Sequence, residues 1–153
     1  MIRGEVSAVI PVPPEQAFRL LEDPASFRRL VAGARRIRRF DSRWPEPGTR
    51  LDHTVGIPPF LVRDHTVVVD QSPPGRLVLD ALIRPLGRLR VEFRFEPHTD
   101  GSLMTVVEEP VEGPVGWPAV RPVTQLALRL RNGEICRRFR KLAELRRRGA
   151  GAG

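Results

Sequence analysis

The alternation of apolar and polar positions predicts β-strands over most of this chain. The clearest run is residues 88–96, where Leu89, Val91, Phe93 and Phe95 alternate with charged residues. Successive side chains of a strand point to opposite faces, so this run has one apolar face and one polar face. Turn sequences PEPG, IPP, SPPG and HTDG separate such runs at the spacing of antiparallel strands. The predicted strands cover residues 1–12, 35–41, 49–56, 61–71, 76–84, 88–96 and 102–109.

Helical spacing of apolar residues is found in two short segments after the first strand. Pro14 suits the first position of a helix, and the apolar residues that follow recur at helical spacing up to Asp23. A second short helix places Phe27, Leu30 and Val31 on one face. These two helices therefore divide the first predicted strand from the other six.

A long helix is predicted over residues 123–148, which contain no proline. Leu128, Ile135, Phe139 and Leu142 form one apolar stripe, and basic residues fill much of the opposite side. Residues 149–153, with the sequence GAGAG, are predicted to be a disordered tail.

This order of elements predicts an α+β fold in one domain, residues 1–148. Six strands with no helices between them do not make a parallel sheet, and their apolar face needs a cover that the last helix can supply. We therefore expect a strongly curved antiparallel sheet of about seven strands, wrapped around the long C-terminal helix. Such a sheet and one helix enclose more volume than their side chains easily fill, so a cavity is expected between them.

Charge adds one alternative to this interpretation. The chain has 26 basic and 18 acidic residues, a net charge of +8, and Lys141 is its only lysine. A strong basic excess can indicate a nucleic-acid partner. Here the arginines are spread over strands, loops and helix without interleaved aromatic residues, so no nucleic-acid binding is expected. An arginine-rich module for other anionic partners is the third functional alternative.

The remaining composition favours a cytoplasmic protein. Cys136 is the single cysteine, so an intramolecular disulfide is impossible, and no Cys/His spacing indicates a zinc site. The first residues have too short an apolar run for a signal peptide, and no stable membrane insertion is expected. Neither a metal nor a cofactor is predicted, since phosphate-binding, GxSxG and HExxH motifs are lacking. The expected state is a monomer or a homodimer.

Several segments in order resemble the SRPBCC superfamily, which includes START lipid-transfer proteins and the polyketide cyclase/dehydrase group. They are VSAVIPVPPEQAFRLLEDPASFRRL, PGTRLDHTVG, VVVDQSPPGRLVLDA, EFRFEPHTDGSLMTVVEEP and RNGEICRRFRKLAEL, and together they cover nearly the whole chain. The resemblance implies the helix-grip fold and a small hydrophobic or amphipathic ligand in its cavity. It carries over no catalytic residue.

Strand parity and the inward face of the long helix predict which residues line the cavity. Glu108, His53 and His65 are the candidate catalytic residues, because a buried carboxyl group near a neutral imidazole can transfer protons. Trp117 lies in the loop before the long helix, where it could gate the cavity or pack over the core edge. The predicted lining is His53, Val55, His65, Val67, Leu79, Ala81, Val91, Phe93, Met104, Val106, Glu108, Trp117, Leu128, Asn132 and Ile135.

The leading functional hypothesis is the sequestration or transport of a small hydrophobic metabolite such as a polyketide, lipid or isoprenoid. The alternative is an enzyme of the polyketide cyclase/dehydratase type that uses Glu108 with a pocket histidine in acid–base chemistry. The two hypotheses share one cavity and differ in whether the bound molecule is changed.

Overall fold

The computed structural model describes residues 4–30, 34–57, 60–83 and 87–151, which form one sheet of seven strands and three α-helices. Two single 3-10 turns, Pro114–Gly116 and Pro118–Val120, lead into the last helix. The strands are β1 (Gly4–Ile10), β2 (Ala34–Phe40), β3 (Arg50–Ile57), β4 (Phe60–Ser72), β5 (Arg76–Ile83), β6 (Gly87–His98) and β7 (Gly101–Glu112). The helices are α1 (Pro14–Glu22), α2 (Pro24–Leu30) and α3 (Arg121–Gly151).

The sheet is antiparallel throughout, with the strand order β1-β7-β6-β5-β4-β3-β2. Strands β2 to β7 form a meander, and β1 joins its far edge by pairing with β7. The sheet curls without closing, and the two short helices follow β1. The predicted α+β helix-grip class is therefore confirmed.

The turn between β6 and β7 shows why the HTDG sequence ends a strand. Gly101 has a φ of 136°, a backbone conformation that side chains disfavour. A Cβ atom at this position would lie 2.2 Å from the carbonyl oxygen of Ile10. Glycine therefore allows the hairpin to close against the end of β1.

The long helix α3 covers the concave face of the sheet. Its close backbone packing among the described residues is mainly with β1 and β7, at one edge of the sheet. Phe139 of α3 packs against Phe95 with a ring separation of 5.6 Å, and Phe95 packs edge-on against Phe18 of α1. The principal core therefore forms where α1, α3 and the middle of β6 meet.

The two short helices close one end of the fold. Pro14 occupies the first turn of α1, where its missing N–H costs no hydrogen bond. The Asp23 carboxylate accepts hydrogen bonds from the Ser26 hydroxyl at 2.7 Å and the Ser26 backbone N–H at 3.3 Å, which caps α2. Trp44 packs edge-on against Phe27 and donates from its indole nitrogen to the carbonyl oxygen of Leu21 at 3.1 Å. Trp44 therefore packs in the core.

The observed bounds differ from the predicted ones by a few residues at most strand ends. Helix α3 continues to Gly151, so residues 149–151, which the sequence assigns to a disordered tail, are helical. The predicted position of Val31 on the second short helix lies outside the described residues. None of the described helices contains a stretch long and apolar enough to cross a membrane.

Candidate functional site

A buried carboxyl group lies on the concave face near the far end of β7. Glu108 follows Met104 and Val106 on that face, and its cross-strand partners are Gly4 of β1 and Val91 of β6. Its side chain has no exposed area. One oxygen, Oε2, accepts a hydrogen bond from Arg131 Nη1 at 3.0 Å, while Oε1 has no hydrogen-bond partner among the described residues. One oxygen of this carboxyl group is therefore buried without a hydrogen bond from the described residues.

The environment of Glu108 raises its pKa above the ordinary value. Burial is the largest cause, because a carboxylate loses its hydration on the concave face. The positive charge and hydrogen bond of Arg131 lower the pKa, but not enough to offset the burial. Glu108 can therefore hold a proton at a pH where an exposed glutamate would not.

Asn132 of α3 is a second fully buried polar residue at this end of the interior. Its Nδ2 atom donates to the carbonyl oxygen of Gly4 at 3.1 Å, and its Oδ1 atom has no donor in the described part of the chain. Gly4 permits this approach, because a Cβ atom there would lie 2.8 Å from Leu128 Cβ and 3.1 Å from Asn132 Nδ2. The absence of a side chain at Gly4 therefore lets α3 pack close to β1.

The two polar side chains lie at the border between two apolar clusters. Along α3, Asn132 falls between Leu128 and Ile135, and these two residues belong to different clusters. The smaller cluster contains Leu89, Val115 and Leu128, and the larger one is the principal core. Asn132 therefore lies where the two apolar clusters meet.

Arg131 was not among the predicted site residues. The sequence places basic residues mainly on the outer side of this helix, but Arg131 follows Leu128 by three positions and so lies at the border of its inward face. Its side chain is 26% exposed, which lets the guanidinium reach Glu108 while part of it stays hydrated. The spacing from Leu128 is the signal that could have identified it.

A second group of buried polar side chains lies on β3 and β4. His53 Nε2 and the Thr66 hydroxyl are 2.9 Å apart, and either atom can be the donor. Asp64 is paired with His53 in the strand register and is also buried. The sequence predicted His53 but missed Asp64 and Thr66, since no turn or motif marks their strand parity.

The predicted inward positions of His65 and Val67 are wrong. In the register of β3 and β4, His65 is paired with Asp52 and Val67 with Arg50, so both lie on the convex face opposite His53. Only the alternate residues of β4, which include Thr66, face the interior. Apolar residues occur at both parities of this strand, and the pattern therefore does not specify its inward face.

The sheet does not bring Glu108 and His53 together in its strand register. Glu108 is on β7 and His53 is on β3, and β6, β5 and β4 lie between them. Glu108 aligns through Val91 and Leu79 with Val68, whereas His53 aligns with Asp64, four residues away along β4. A direct acid–base pair of these two side chains finds no support in this register.

Eight other residues of the predicted lining are buried, and their contact with a ligand stays a prediction. Trp117 is 59% exposed between the two 3-10 turns, so it does not pack over the core edge, and its role as a gate stays a prediction. The side chain of Val55 lies outside the described residues. The residues that are buried on the concave face or on the inward side of α3 are Leu79, Ala81, Val91, Phe93, Met104, Val106, Leu128 and Ile135.

The described residues contain no cluster of three or more histidine, cysteine, aspartate or glutamate side chains able to hold a metal ion. Cys136 is buried, and its burial raises the pKa of the thiol to about 11. Such a thiol stays protonated near neutral pH and is a poor nucleophile.

The chain is similar to a known protein family over most of its length. The profile of a family described as "Polyketide cyclase / dehydrase and lipid transport" matches residues 1–144. No curated protein sequence matches the chain.

Solved structures with the same fold are distant in sequence. Protein NE0264 from Nitrosomonas europaea superposes with a TM-score of 0.74 at 12% identity, over 95% of this chain and 96% of that one. TTHA0849 from Thermus thermophilus gives 0.70 at 17% identity, over 94% and 97%. The di-domain ARO/CYC StfQ from the steffimycin biosynthetic pathway gives 0.74 at 16% identity, over 95% of this chain and 51% of that one. At these identities the likeness shows the fold alone.

Proposed function

Because the chain belongs to the polyketide cyclase/dehydrase and lipid transport family of the SRPBCC superfamily, we propose that it binds a small hydrophobic metabolite between its sheet and α3. A polyketide, a lipid or an isoprenoid has the required chemistry. The bound molecule is sequestered or carried without being changed. The cytoplasm is the proposed location, as the single cysteine predicts.

The distribution of buried side chains supports this proposal. Leu79 and Ala81 of β5, and Thr66 of β4, are buried on the concave face. Helix α3, in contrast, makes its close backbone contacts mainly with β1 and β7, at one edge of the sheet. An apolar ligand between the helix and the middle strands would be removed from water on both sides.

The observation that carries the proposal is a pair of buried oxygen atoms without hydrogen-bond partners. Glu108 Oε1 and Asn132 Oδ1 both lack a hydrogen-bond partner among the described residues. An unsatisfied buried acceptor costs about 1–3 kcal/mol, and a ligand hydroxyl or N–H group would remove that cost. The preferred ligand is therefore a mostly hydrocarbon molecule that carries a hydrogen-bond donor.

A matched pair of probes tests this preference. 2-Naphthol and 2-methylnaphthalene have nearly the same shape, but only the first can donate a hydrogen bond. We expect the protein to bind 2-naphthol about tenfold more tightly, measured by fluorescence titration, because the hydrocarbon probe leaves the acceptors unpaired.

Two variants assign the effect to the site. Asn132→Leu should reduce the difference between the two probes, whereas the neighbouring Gly133→Ala, where the structure leaves open space for the added methyl group, should preserve it. Equal affinity of the wild type for both probes, or binding of neither, would contradict the proposal. If the wild type prefers 2-naphthol, mass spectrometry of molecules that co-purify with the native protein would identify the physiological ligand.

The second candidate function is an enzyme of the cyclase/dehydratase type. The raised pKa of Glu108 favours it, because a carboxyl group that titrates closer to neutral pH is suited to general acid–base catalysis. In this candidate Glu108 acts on a carbonyl compound without His53. Glu108→Gln should then abolish turnover of a poly-β-ketone substrate while its affinity is retained, whereas a carrier has no turnover to lose.

A further inference from the structure

The net charge of the protein resides in α3. This helix contains ten arginine and lysine residues and two glutamates, a balance of +8. The other residues of the chain contain sixteen basic and sixteen acidic residues and are neutral as a set. The basic excess is therefore localised to one element, although arginines occur throughout the sequence.

The outward side of the first half of α3 is apolar. Val123, Leu126 and Leu130 are 73%, 60% and 68% exposed. Their spacing of three and four residues places them on one face of the helix, and this face points away from the buried Asn132. We call these three residues the outer stripe. A contiguous row of exposed leucine and valine side chains is typical of a surface that binds another protein or a membrane.

Exposed apolar residues continue from the outer stripe into the segment that precedes the helix. Trp117 is 59% exposed between the two 3-10 turns, and Val120 is 39% exposed at the end of the second one. The segment from residue 114 to residue 133 contains three arginines and no acidic residue. This segment therefore exposes apolar side chains and contributes no negative charge.

Positive charge borders the outer stripe and continues beyond it. Arg129, Arg140 and Arg147 are exposed, and their spacing of eleven and seven residues places them along one flank of α3. Lys141 and Arg148 are exposed on the outward face in the second half of the helix. The outward surface is thus apolar in the first half of α3 and mainly basic in the second half, where Glu144 and Leu145 are also exposed.

We infer that the outer stripe and the basic half of α3 dock the protein on an anionic phospholipid surface. A helix lying in the plane of a bilayer buries leucine and tryptophan side chains at the level of the headgroups and pairs its cations with lipid phosphates. Tryptophan is favoured at that depth, and each basic residue adds attraction to an anionic leaflet. Because the outer stripe faces away from Glu108, this inference is independent of the proposed ligand site.

The same observations disfavour two other occupants. Nucleic acid would use the basic residues but would leave the outer stripe in water. A second copy of this chain would bring two helices of charge +8 together, with repulsion between them. An anionic bilayer is complementary to both the apolar and the basic parts.

Vesicle binding tests the inference on the full chain. We expect the protein to co-sediment with vesicles of phosphatidylglycerol and phosphatidylcholine, and to remain in solution with pure phosphatidylcholine. Because Trp44 is buried in the core, a blue shift of tryptophan emission on binding should come from Trp117 and should be lost in Trp117→Phe. Raising the salt concentration should weaken binding, since it screens the attraction to lipid phosphates.

A matched pair of variants separates the outer stripe from general charge. The double variant Leu126→Ser/Leu130→Ser should bind anionic vesicles about tenfold more weakly, since both leucines become buried in the bilayer when the wild type binds. Val123→Ser should weaken binding to a smaller extent, whereas Val69→Ser, an exposed valine on β4, should leave it unchanged. Circular dichroism should show that all these variants remain folded.

Three results would overturn the inference. The first is binding of the double variant with wild-type affinity, and the second is equal binding to anionic and neutral vesicles. The third is a wild-type dimer in sedimentation velocity that becomes monomeric in the double variant, since a second copy would then cover the outer stripe.

Discussion

Replacing Arg131 by leucine should destabilise the protein in a strongly pH-dependent way. Arg131 supplies the only hydrogen bond to the Glu108 carboxyl group that the described residues show, at 3.0 Å, and Glu108 has no exposed area. Without the guanidinium, a charged carboxylate would be left buried and uncompensated. Removing one partner of such a pair costs about 3–5 kcal/mol of unfolding free energy.

Protonation of Glu108 limits this cost. The ordinary pKa is 4.5, and holding the proton above that value costs about 1.4 kcal/mol per pH unit. The upper bound is therefore about 4 kcal/mol near pH 7.5 and under about 1 kcal/mol near pH 5. Because the raised pKa of wild-type Glu108 already carries part of this cost, we expect a loss below that bound at the higher pH and a much smaller loss at the lower one.

The direction of the pH effect follows from the raised pKa of Glu108. Below the ordinary value the carboxyl group is protonated in both the folded and the unfolded protein, and it contributes no pH dependence. Between the ordinary pKa of the unfolded state and the raised pKa of the folded state, the unfolded protein has released this proton and the folded protein still holds it. The free energy of unfolding therefore falls as the pH rises through this interval. Arg131→Leu raises the folded-state pKa further and should widen this interval.

Urea unfolding followed by the fluorescence of the buried Trp44 measures these free energies at both pH values. In the double variant Arg131→Leu/Glu108→Gln, no buried charge remains, so most of the stability lost at the higher pH should return. Arg138→Leu is the matched control, since it removes an arginine of the same helix whose partner, Glu134, is 30% exposed rather than fully buried. Equal losses for Arg131→Leu at both pH values, or no recovery in the double variant, would refute this account of the site.

Three further predictions concern residues around the site and on α3. Gly4→Ala should lower the free energy of unfolding, measured in urea, by about 1–3 kcal/mol, because the added methyl group meets Leu128 Cβ at 2.8 Å. Gly133→Ala has open space for the methyl group and should raise the free energy of unfolding by about 0.5–1 kcal/mol. A loss of stability in both variants would contradict the packing argument. The Cys136 thiol, with its pKa raised to about 11 by burial, should resist a disulfide reagent near pH 8 in the native protein and react once in urea, whereas rapid native reaction would contradict its burial. Hydrogen bonds from Arg137 and Arg138 lower the pKa of Glu134 to about 2, so its carboxyl group should titrate near that value by NMR. In the variant Arg137→Gln/Arg138→Gln it should titrate nearer 4.5. A wild-type titration near 4.5 would contradict this prediction.

The fold was predictable because most of its strands have unambiguous alternation. In β6, Leu89, Val91 and Phe93 alternate with charged residues, so only one face can be buried. The absence of helices between β2 and β7 then left antiparallel pairing as the simple solution. The family resemblance pointed to the same helix-grip arrangement.

The site was predictable only in part. Strand parity predicted that Glu108 faces the interior, and the inward side of the long helix predicted the same for Asn132; both side chains are buried. The pairing of Arg131 with Glu108, and of Asn132 with Gly4 across 128 positions of sequence, depends on how α3 crosses β1 and β7. No local pattern in the sequence contains that crossing.

Strand β4 shows the limit most directly. Within a strand, sequence alone determines which residues share a face, because the backbone repeats every two residues. It does not determine which face is buried when both carry apolar residues, as Val67 and Val68 show in β4. Pairing with β3 decided that Thr66 and Asp64 face inward and His65 faces outward. The sequence by itself thus specified the helices and strands, most of their apolar faces and the basic character of α3. Strand register and helix packing decided which polar groups meet, because those contacts join residues far apart in the chain.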